Sequence, residues 1–378
     1  MISELSIRRF KGFASLDLEL GYLTVLTGLN SAGKTSVIHA LLLLREALRG
    51  GSVVALNGPD GLALGEPFDV LHRGSGDETI ELQVRSDAGH DWLGVTLSVP
   101  SDRAMHLERT DEPREDTPLS CGLAGPEPTF TYLCAERLGP RDTQSARASH
   151  SDSLSVGVFG QHTAQVLAAL QRREVDEDRW VPSAESLGAD RFLLSQSELW
   201  MSRILGSAGR VRIDARWLDG TSVTSLRFQM PGQQAEWTRP QNVGFGVSYA
   251  LPIVVAALQA PKGGLLIIEN PEAHLHPAGQ SAIGAFLAQI AASGVQVIME
   301  THSDHVINGI RCAIAERRVT LDAEKAAVLY FHPDAPGEQR HERIHIRETG
   351  ELSAWPPGFF DQTQRDLTAL ARVKRRPQ

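Results

Sequence analysis

Apolar and polar positions alternate from the first residues of the chain. Ile2, Leu5 and Ile7 interleave with polar neighbours up to Phe10, which predicts a strand, and Leu16-Asp17-Leu18-Glu19-Leu20 predicts a second. Lys11-Gly12-Phe13 turns between them, so the chain opens on a β-hairpin. Gly21 leads into Leu23-Thr24-Val25-Leu26, an apolar run expected of a buried strand. The period then changes from two to 3.6. Ile38, Leu41, Leu42 and Ala47 share one face of a helix over 37–48, which Gly50-Gly51 stops.

Farther on, Thr79–Val84 and Leu93–Val99 predict an antiparallel pair. Ser101 to Pro128 is polar and predicts an exposed loop, with the acidic run Asp111 to Asp116 inside it. Phe130–Cys134 reads as a buried strand and the serine-rich Ser145–Ser155 as a mobile stretch. Helical periods follow at Thr163–Arg172 and Leu194–Leu205, then a strand pair at Arg210–Trp217 and Ser222–Gln229. Gln161 to Leu205 therefore predicts a helical lobe inserted between two halves of one domain. The second half is a helix at Tyr249–Gln259, a central strand at Leu265–Ile268, a helix at Ala278–Ala292 and a strand at Val295–Met299. A helix from Asp304 and late strands at Ala326–Phe331 and Arg343–Ile346 close the chain. The expected fold class is α/β, with an N-terminal antiparallel β subdomain and an inserted helical lobe. The expected divisions are 1–140, 141–240, 241–330 and 331–378, with no internal repeat.

Composition changes this picture little. Among 378 residues, 42% are apolar and 22% charged, which fits a soluble globular protein. The longest apolar stretch, Tyr249–Ala260, is too short for a bilayer and holds Pro252, so no membrane partner is expected. Met1-Ile2-Ser3-Glu4 is no signal peptide, and Cys121, Cys134 and Cys312 lack paired metal spacing. Both point to a reduced, cytoplasmic setting. The net charge of −9 argues against a surface built wholly for nucleic acid. It leaves room for a local DNA groove or for the basic tail Lys374-Arg375-Arg376.

Candidate chemistry centres on Gly28-Leu29-Asn30-Ser31-Ala32-Gly33-Lys34-Thr35-Ser36, which has the G-x-x-x-x-G-K-[ST] spacing of a phosphate loop between a strand and a helix. Gly28 and Gly33 let the backbone curl, so that N–H groups from Asn30 through Ser36 point inward at a polyphosphate. The helix N-terminus adds partial positive charge. Lys34 supplies a mobile cation for the β- and γ-phosphates of ATP, and the Thr35 hydroxyl can ligate Mg²⁺. Two more strands end in carboxylates, Glu269 and Glu300. Ligands lie beyond the carboxyl ends of parallel strands, so all three stretches should converge on one Mg²⁺–triphosphate. Glu269 is the expected Mg²⁺ acid, and His302 is placed to sense the γ-phosphate. His274 and His276 form an H-x-H pair, but without a third ligand a zinc site is disfavoured against a packing role. Glu136, Arg137 and Arg141 read equally as a solvated salt bridge or as a contact to nucleotide or to a coupling loop.

These motifs, taken in order, resemble the ABC-type ATPase heads of the SMC and RecF kind, and more narrowly the OLD-like ATPases (overcoming lysogenization defect). The likeness rests on the hairpin before Gly28–Ser36, on Gly244-Phe245-Gly246-Val247-Ser248, and on Glu269-Asn270-Pro271-Glu272-Ala273-His274-Leu275-His276-Pro277. It extends to Glu300-Thr301-His302-Ser303, to Ala135–Arg141 as A-E-R-x-G-P-R and to Trp355–Gln362 as W-P-x-G-F-F-D-Q. The resemblance implies a homodimer, or a higher homo-oligomer, in which two heads sandwich two ATPs. Each nucleotide would be held by one phosphate loop and capped by Gly244, Gly246 and Ser248 of the other subunit. His276 falls where related heads carry an acidic residue. Asn270 stands where they carry the catalytic Glu; Glu272 is the favoured base or water-orienter and Glu300 the runner-up. No heptad arm interrupts the head, and the chain beyond His302 leaves no room for a fused Toprim nuclease, so a nuclease or other effector is expected on a separate chain. The favoured function is an ATP-driven switch in anti-phage defence or DNA maintenance. A non-hydrolysing nucleotide-bound scaffold or sensor is the alternative, and a transporter ATPase subunit a weaker one, since the Gly244–Ser248 turn is not Leu-Ser-Gly-Gly-Gln. No Asn-Lys-x-Asp segment supports a GTPase.

Overall fold

The computed structural model describes residues 1–374 apart from 59–60, 75, 77, 88, 90, 101–103, 112–121, 183–189, 233–235, 323–324 and 336–337. Cys121, the acidic run after Asp111 and the tail residues Arg375 and Arg376 lie outside the described residues.

The first third runs β1 (Ile2–Phe10), β2 (Phe13–Glu19), β3 (Leu23–Gly28), α1 (Lys34–Arg49), β4 (Val53–Ala55), α2 (Pro67–Val70), β5 (Thr79–Ser86), β6 (Trp92–Ser98) and β7 (His106–Arg109). The middle holds β8 (Phe130–Leu133), β9 (Thr143–Ser145), α3 (Thr163–Leu170), α4 (Leu193–Ile204), β10 (Arg212–Trp217) and β11 (Val223–Gln229). The last third holds α5 (Phe245–Gln259), β12 (Leu265–Glu269), α6 (Pro277–Ala292), β13 (Gln296–Glu300) and α7 (Asp304–Ala315). It ends with β14 (Ala326–Ala335), β15 (Glu338–His345) and α8 (Gln362–Lys374).

Three sheets result. The central one has the order β15-β14-β3-β13-β12-β8, parallel except for the antiparallel edge strand β15. Every residue of β12 and β13 is buried, which is why both read as unbroken apolar runs. The outer sheet, β2-β1-β5-β6-β7-β4, is antiparallel, and a small sheet has the order β10-β11-β9. One face of the central sheet, with Leu26, Tyr132, Ile267 and Ile298, shares a core with α1 and the outer sheet. The opposite face, with Val25, Leu266, Ile268 and Met299, packs with α3 to α7. Gln296, at the start of β13, ties the layers together. Its amide accepts from the Ile2 N–H at 2.8 Å and donates to the carbonyls of Ile2 (2.7 Å) and Gly21 (3.0 Å).

Several boundaries differ from those expected. α1 starts at Lys34 rather than Val37, because Gly33 at φ 97° lets the loop turn straight into the helix. α5 starts at Phe245 rather than Tyr249, so Gly246 and Ser248 lie in its first turn instead of before it. The polar stretch 101–128 is not simply an exposed loop: β7 lies inside it, paired with β4 and β6, and Leu107 is fully buried. One apolar residue in a four-residue strand is too short an alternation to read. The last strand spans Glu338–His345, well upstream of the Arg343–Ile346 expected, because its polar residues pair along β14 at the sheet edge. Among the described residues no helix is long and apolar enough to cross a membrane.

Candidate nucleotide site

The site grows from the carboxyl ends of three adjacent strands. In register, Glu269 of β12 lies beside Glu300 of β13, and Glu300 beside Leu26 of β3, two residues before the loop begins. Gly28 adopts φ 136°, and a Cβ there would lie 2.0 Å from the Phe331 carbonyl oxygen, so only glycine fits this bend. Asn30, Ser31, Gly33, Lys34, Thr35 and Ser36 then line a cavity of about 270 Å³ together with Glu300 and His302. The cavity is polar and opens at the N-terminus of α1, where unpaired N–H groups favour an anion. Ala32, the remaining loop residue, is buried against the core under the loop.

Lys34 is only 3% exposed and donates to the carbonyls of Gly28 (3.2 Å) and Leu29 (2.8 Å). Burial lowers its pKa, and the Glu300 carboxylate, 3.9 Å away, opposes that shift. The Thr35 hydroxyl donates to Glu300 Oε2 at 2.8 Å. Burial pushes the Glu300 pKa up; the Thr35 hydrogen bond and Lys34 pull it back, and Glu269 and Glu272 add to the rise. His302 Nε2 lies 3.8 Å from Glu300 Oε1. Burial, followed by Lys34, lowers the imidazole pKa, which favours the neutral ring at pH 7.

The other expected carboxylates stand outside this cavity. Glu269 is buried, and its oxygens accept from the Tyr132 hydroxyl (2.8 Å) and the Ala135 N–H (3.1 Å). Glu272 accepts from the Thr301 hydroxyl (2.7 Å) and the His302 N–H (2.9 Å), and so braces the Glu300–Ser303 turn. The carboxylate brought to Thr35 is therefore Glu300. Among the described residues no group of three or more His, Cys, Asp or Glu is placed to hold a metal ion by itself. The Thr35 hydroxyl beside a phosphate cradle, with a carboxylate at its edge, is a setting that suits Mg²⁺, which draws most of its ligands from phosphates and water.

Sequence reasoning missed Tyr132; its signal is a tyrosine near the end of a buried strand, whose hydroxyl must find a partner. It left Arg137 open. Arg137 is 2% exposed and donates to the carbonyls of Cys134 (3.0 Å), Glu269 (2.6 Å) and Asn270 (2.6 Å), with its guanidinium 5.4 Å from the Tyr249 ring centroid. Burial lowers its pKa to about 10, still well above neutrality. The clamp also fixes Asn270, which adopts φ 45° and whose side-chain oxygen is buried without a partner.

Gly244, Gly246 and Ser248 form a second face. Gly244 caps α5 at φ 88°, and the adjacent Phe245 is 54% exposed. His274 packs on the rings of Phe245 and Tyr249 at 5.4 and 4.5 Å, and His276 caps α6 by accepting from the Ala278 N–H at 3.3 Å.

A parallel sheet with a phosphate loop, two strand-end acids, an antiparallel outer sheet and a helical lobe defines a P-loop ATPase of the ABC-head architecture. The chain belongs to the AAA domain family described as putative AbiEii toxin, Type IV TA system, which it matches over residues 23–308. Residues 321–370 match a second family, described only as a protein of unknown function, DUF3696. The chain is 24% identical to the OLD nuclease of Thermus scotoductus (strain ATCC 700910 / SA-01) over 406 residues, covering 99% of this chain and 71% of that protein. Its fold is similar to the Smc head domain with an extended coiled coil bound to the C-terminal domain of ScpA, derived from Pyrococcus furiosus. That match has a TM-score of 0.56 at 11% identity and covers 99% of both chains. A second SMC head, bound to the C-winged helix domain of ScpA, matches with a TM-score of 0.54 at 13% identity, covering 91% of this chain and 98% of that one.

Proposed function

We propose that the protein binds Mg²⁺–ATP in the cavity between its phosphate loop and the Glu300–Ser303 turn, that two copies sandwich two nucleotides, and that turnover switches a separate effector. The observation that carries this reading is the convergence of Lys34, Thr35, Glu300 and His302 on one cavity at the N-terminus of α1.

In this mechanism the loop N–H groups from Asn30 to Ser36 receive the β- and γ-phosphates, and Lys34 exchanges the Gly28 and Leu29 carbonyls for phosphate oxygens. The Thr35 hydroxyl would hold Mg²⁺, with Glu269 behind it as the second acid, and the metal would neutralise charge developing on the phosphates. Glu300 orients the attacking water and takes its proton, a task suited to a carboxylate whose pKa is raised by burial. The water oxygen bonds to the γ-phosphorus as the bond to the ADP oxygen breaks. Glu272 holds the turn that carries His302, and the neutral imidazole donates to the γ-phosphate. Gly244, Gly246 and Ser248 of the second subunit close the site.

Lys34→Ala should abolish binding of a fluorescent ATP analogue; retained tight binding refutes the site. Glu300→Gln should bind ATP, release no phosphate and run as a dimer in light scattering. An ATP-loaded monomer would refute the sandwich. Asn270, with its orphaned oxygen in place of a second acid, favours the non-hydrolysing scaffold as the other reading. Phosphate release by the wild-type protein separates the two. The likeness to an OLD nuclease and to a family described as a putative toxin of a toxin–antitoxin system supports a role in anti-phage defence or DNA maintenance. DNA is the partner to test next: binding to duplex that weakens steeply with salt would reveal it.

A further inference from the structure

The loop from Ala135 to Arg141 joins the end of β8 to the face of α5, and its last residue has no assigned task. Arg141 is exposed and makes no ion pair or hydrogen bond with the described residues, although many exposed arginines of this chain, such as Arg147, Arg212, Arg216 and Arg365, face a carboxylate. The loop that carries it is fixed. Arg137 anchors it through three carbonyls, the Leu138 N–H donates to the Phe159 carbonyl at 2.7 Å, and a Cβ on Gly139 would lie 3.6 Å from the Phe245 ring. Arg141 shares a concavity with Ser248, Gln144 and Thr163, and the Ser248 hydroxyl is buried there without a hydrogen-bond partner. A cation, an unsatisfied hydroxyl and the positive end of α5 thus gather on one face, a combination that suits an incoming anion. This concavity and the phosphate-loop cavity have no lining residue in common, which favours an anion other than the chain's own nucleotide.

We infer that Arg141 acts in trans: on dimerisation it reaches the γ-phosphate held by the phosphate loop of a second copy, beside the Gly244–Ser248 turn. The inference rests on the sandwich reading above and adds to it a residue from outside the Gly244–Ser248 turn. A guanidinium fits a phosphoryl group in flight because it offers two parallel donors and stays charged throughout. Its anchored loop holds it in place before the nucleotide arrives, so little ordering is needed at the moment of reaction.

The test is subunit mixing. Arg141→Ala should bind the fluorescent ATP analogue within about twofold of wild type and melt at the same temperature, since an exposed side chain is removed. Its phosphate release should fall roughly 10- to 100-fold, the range for losing a hydrogen bond to a charged group. Mixed with Lys34→Ala, which is also inactive, it should recover activity. The mixed dimer holds one site with an unaltered Lys34 from one chain and an unaltered Arg141 from the other. If Arg141 worked on its own chain's nucleotide, neither site would be whole. A parallel mixture of Lys34→Ala with Gly244→Asp tests the sandwich independently of Arg141. Recovery in the Gly244→Asp mixture but not in the Arg141→Ala mixture overturns the trans role alone. Failure of both mixtures with an active wild type overturns the sandwich as well. Full activity of Arg141→Ala by itself overturns the inference directly.

Discussion

Tyr132→Phe removes one oxygen atom and almost no volume, so its effect isolates a single interaction. The hydroxyl donates to Glu269 Oε1 at 2.8 Å, and both side chains are buried, at 5% and 7% exposure. A hydrogen bond to a charged, buried acceptor is worth about 1.5–3 kcal/mol, and the carboxylate oxygen left behind has no other hydrogen-bond donor among the described residues. Tyr132→Phe should therefore destabilise the protein by about 2 kcal/mol, and Glu269→Gln by a similar amount. The double variant should cost less than the sum, with a coupling of about 1.5 kcal/mol or more. The measurement is urea unfolding of all four proteins, followed by tryptophan fluorescence and compared at one temperature. Coupling below about 0.5 kcal/mol, within the scatter expected of independent sites, would refute the claim that this hydroxyl holds Glu269.

Two further predictions concern the shared core and the loop itself. His39 accepts from the Lys11 ammonium at 2.6 Å, and burial followed by Lys11 holds its pKa down at about 4, against an ordinary value of 6.5. The unfolded chain takes up a proton below about pH 6.5 and the folded one does not, so stability falls as pH drops from 6.5 toward 4, by up to about 3 kcal/mol. His39→Gln should flatten that part of the stability–pH curve, and parallel curves for the two proteins would count against the assignment. Gly28→Ala forces a methyl group to 2.0 Å from the Phe331 carbonyl at a φ of 136°, a strain of more than about 3 kcal/mol. Soluble yield should collapse, and a well-folded Gly28→Ala protein would contradict the packing described.

Much of the fold could be read from the sequence, for reasons visible in particular elements. β12 and β13 are buried on both faces, so hydrophobicity alone marks them. The phosphate loop needs glycine at fixed spacing, and spacing survives in sequence. What could not be read depends on contacts between distant segments. The engagement of Glu269 by Tyr132, 137 positions away, follows from a parallel register that no local pattern states. Glu272 reads in the sequence as a base or water-orienter; its hydrogen bonds to the turn after β13 depend on two carboxyl-terminal strand ends that lie side by side only in space. β7 was lost because a polar surround hid its single buried leucine.

Gln296 and Glu300 stand at opposite ends of one five-residue strand, about 13 Å apart at a strand's rise per residue. Gln296 grips Ile2 of the outer sheet through two buried hydrogen bonds and Gly21, just before β3, through a third, worth roughly 3 kcal/mol together. Glu300 faces the phosphate loop. The outer sheet and the nucleotide cavity are thus mounted on a single stiff bar, and any tilt of that bar at its phosphate end appears as a displacement of the antiparallel layer rather than being absorbed by side-chain slack between the two.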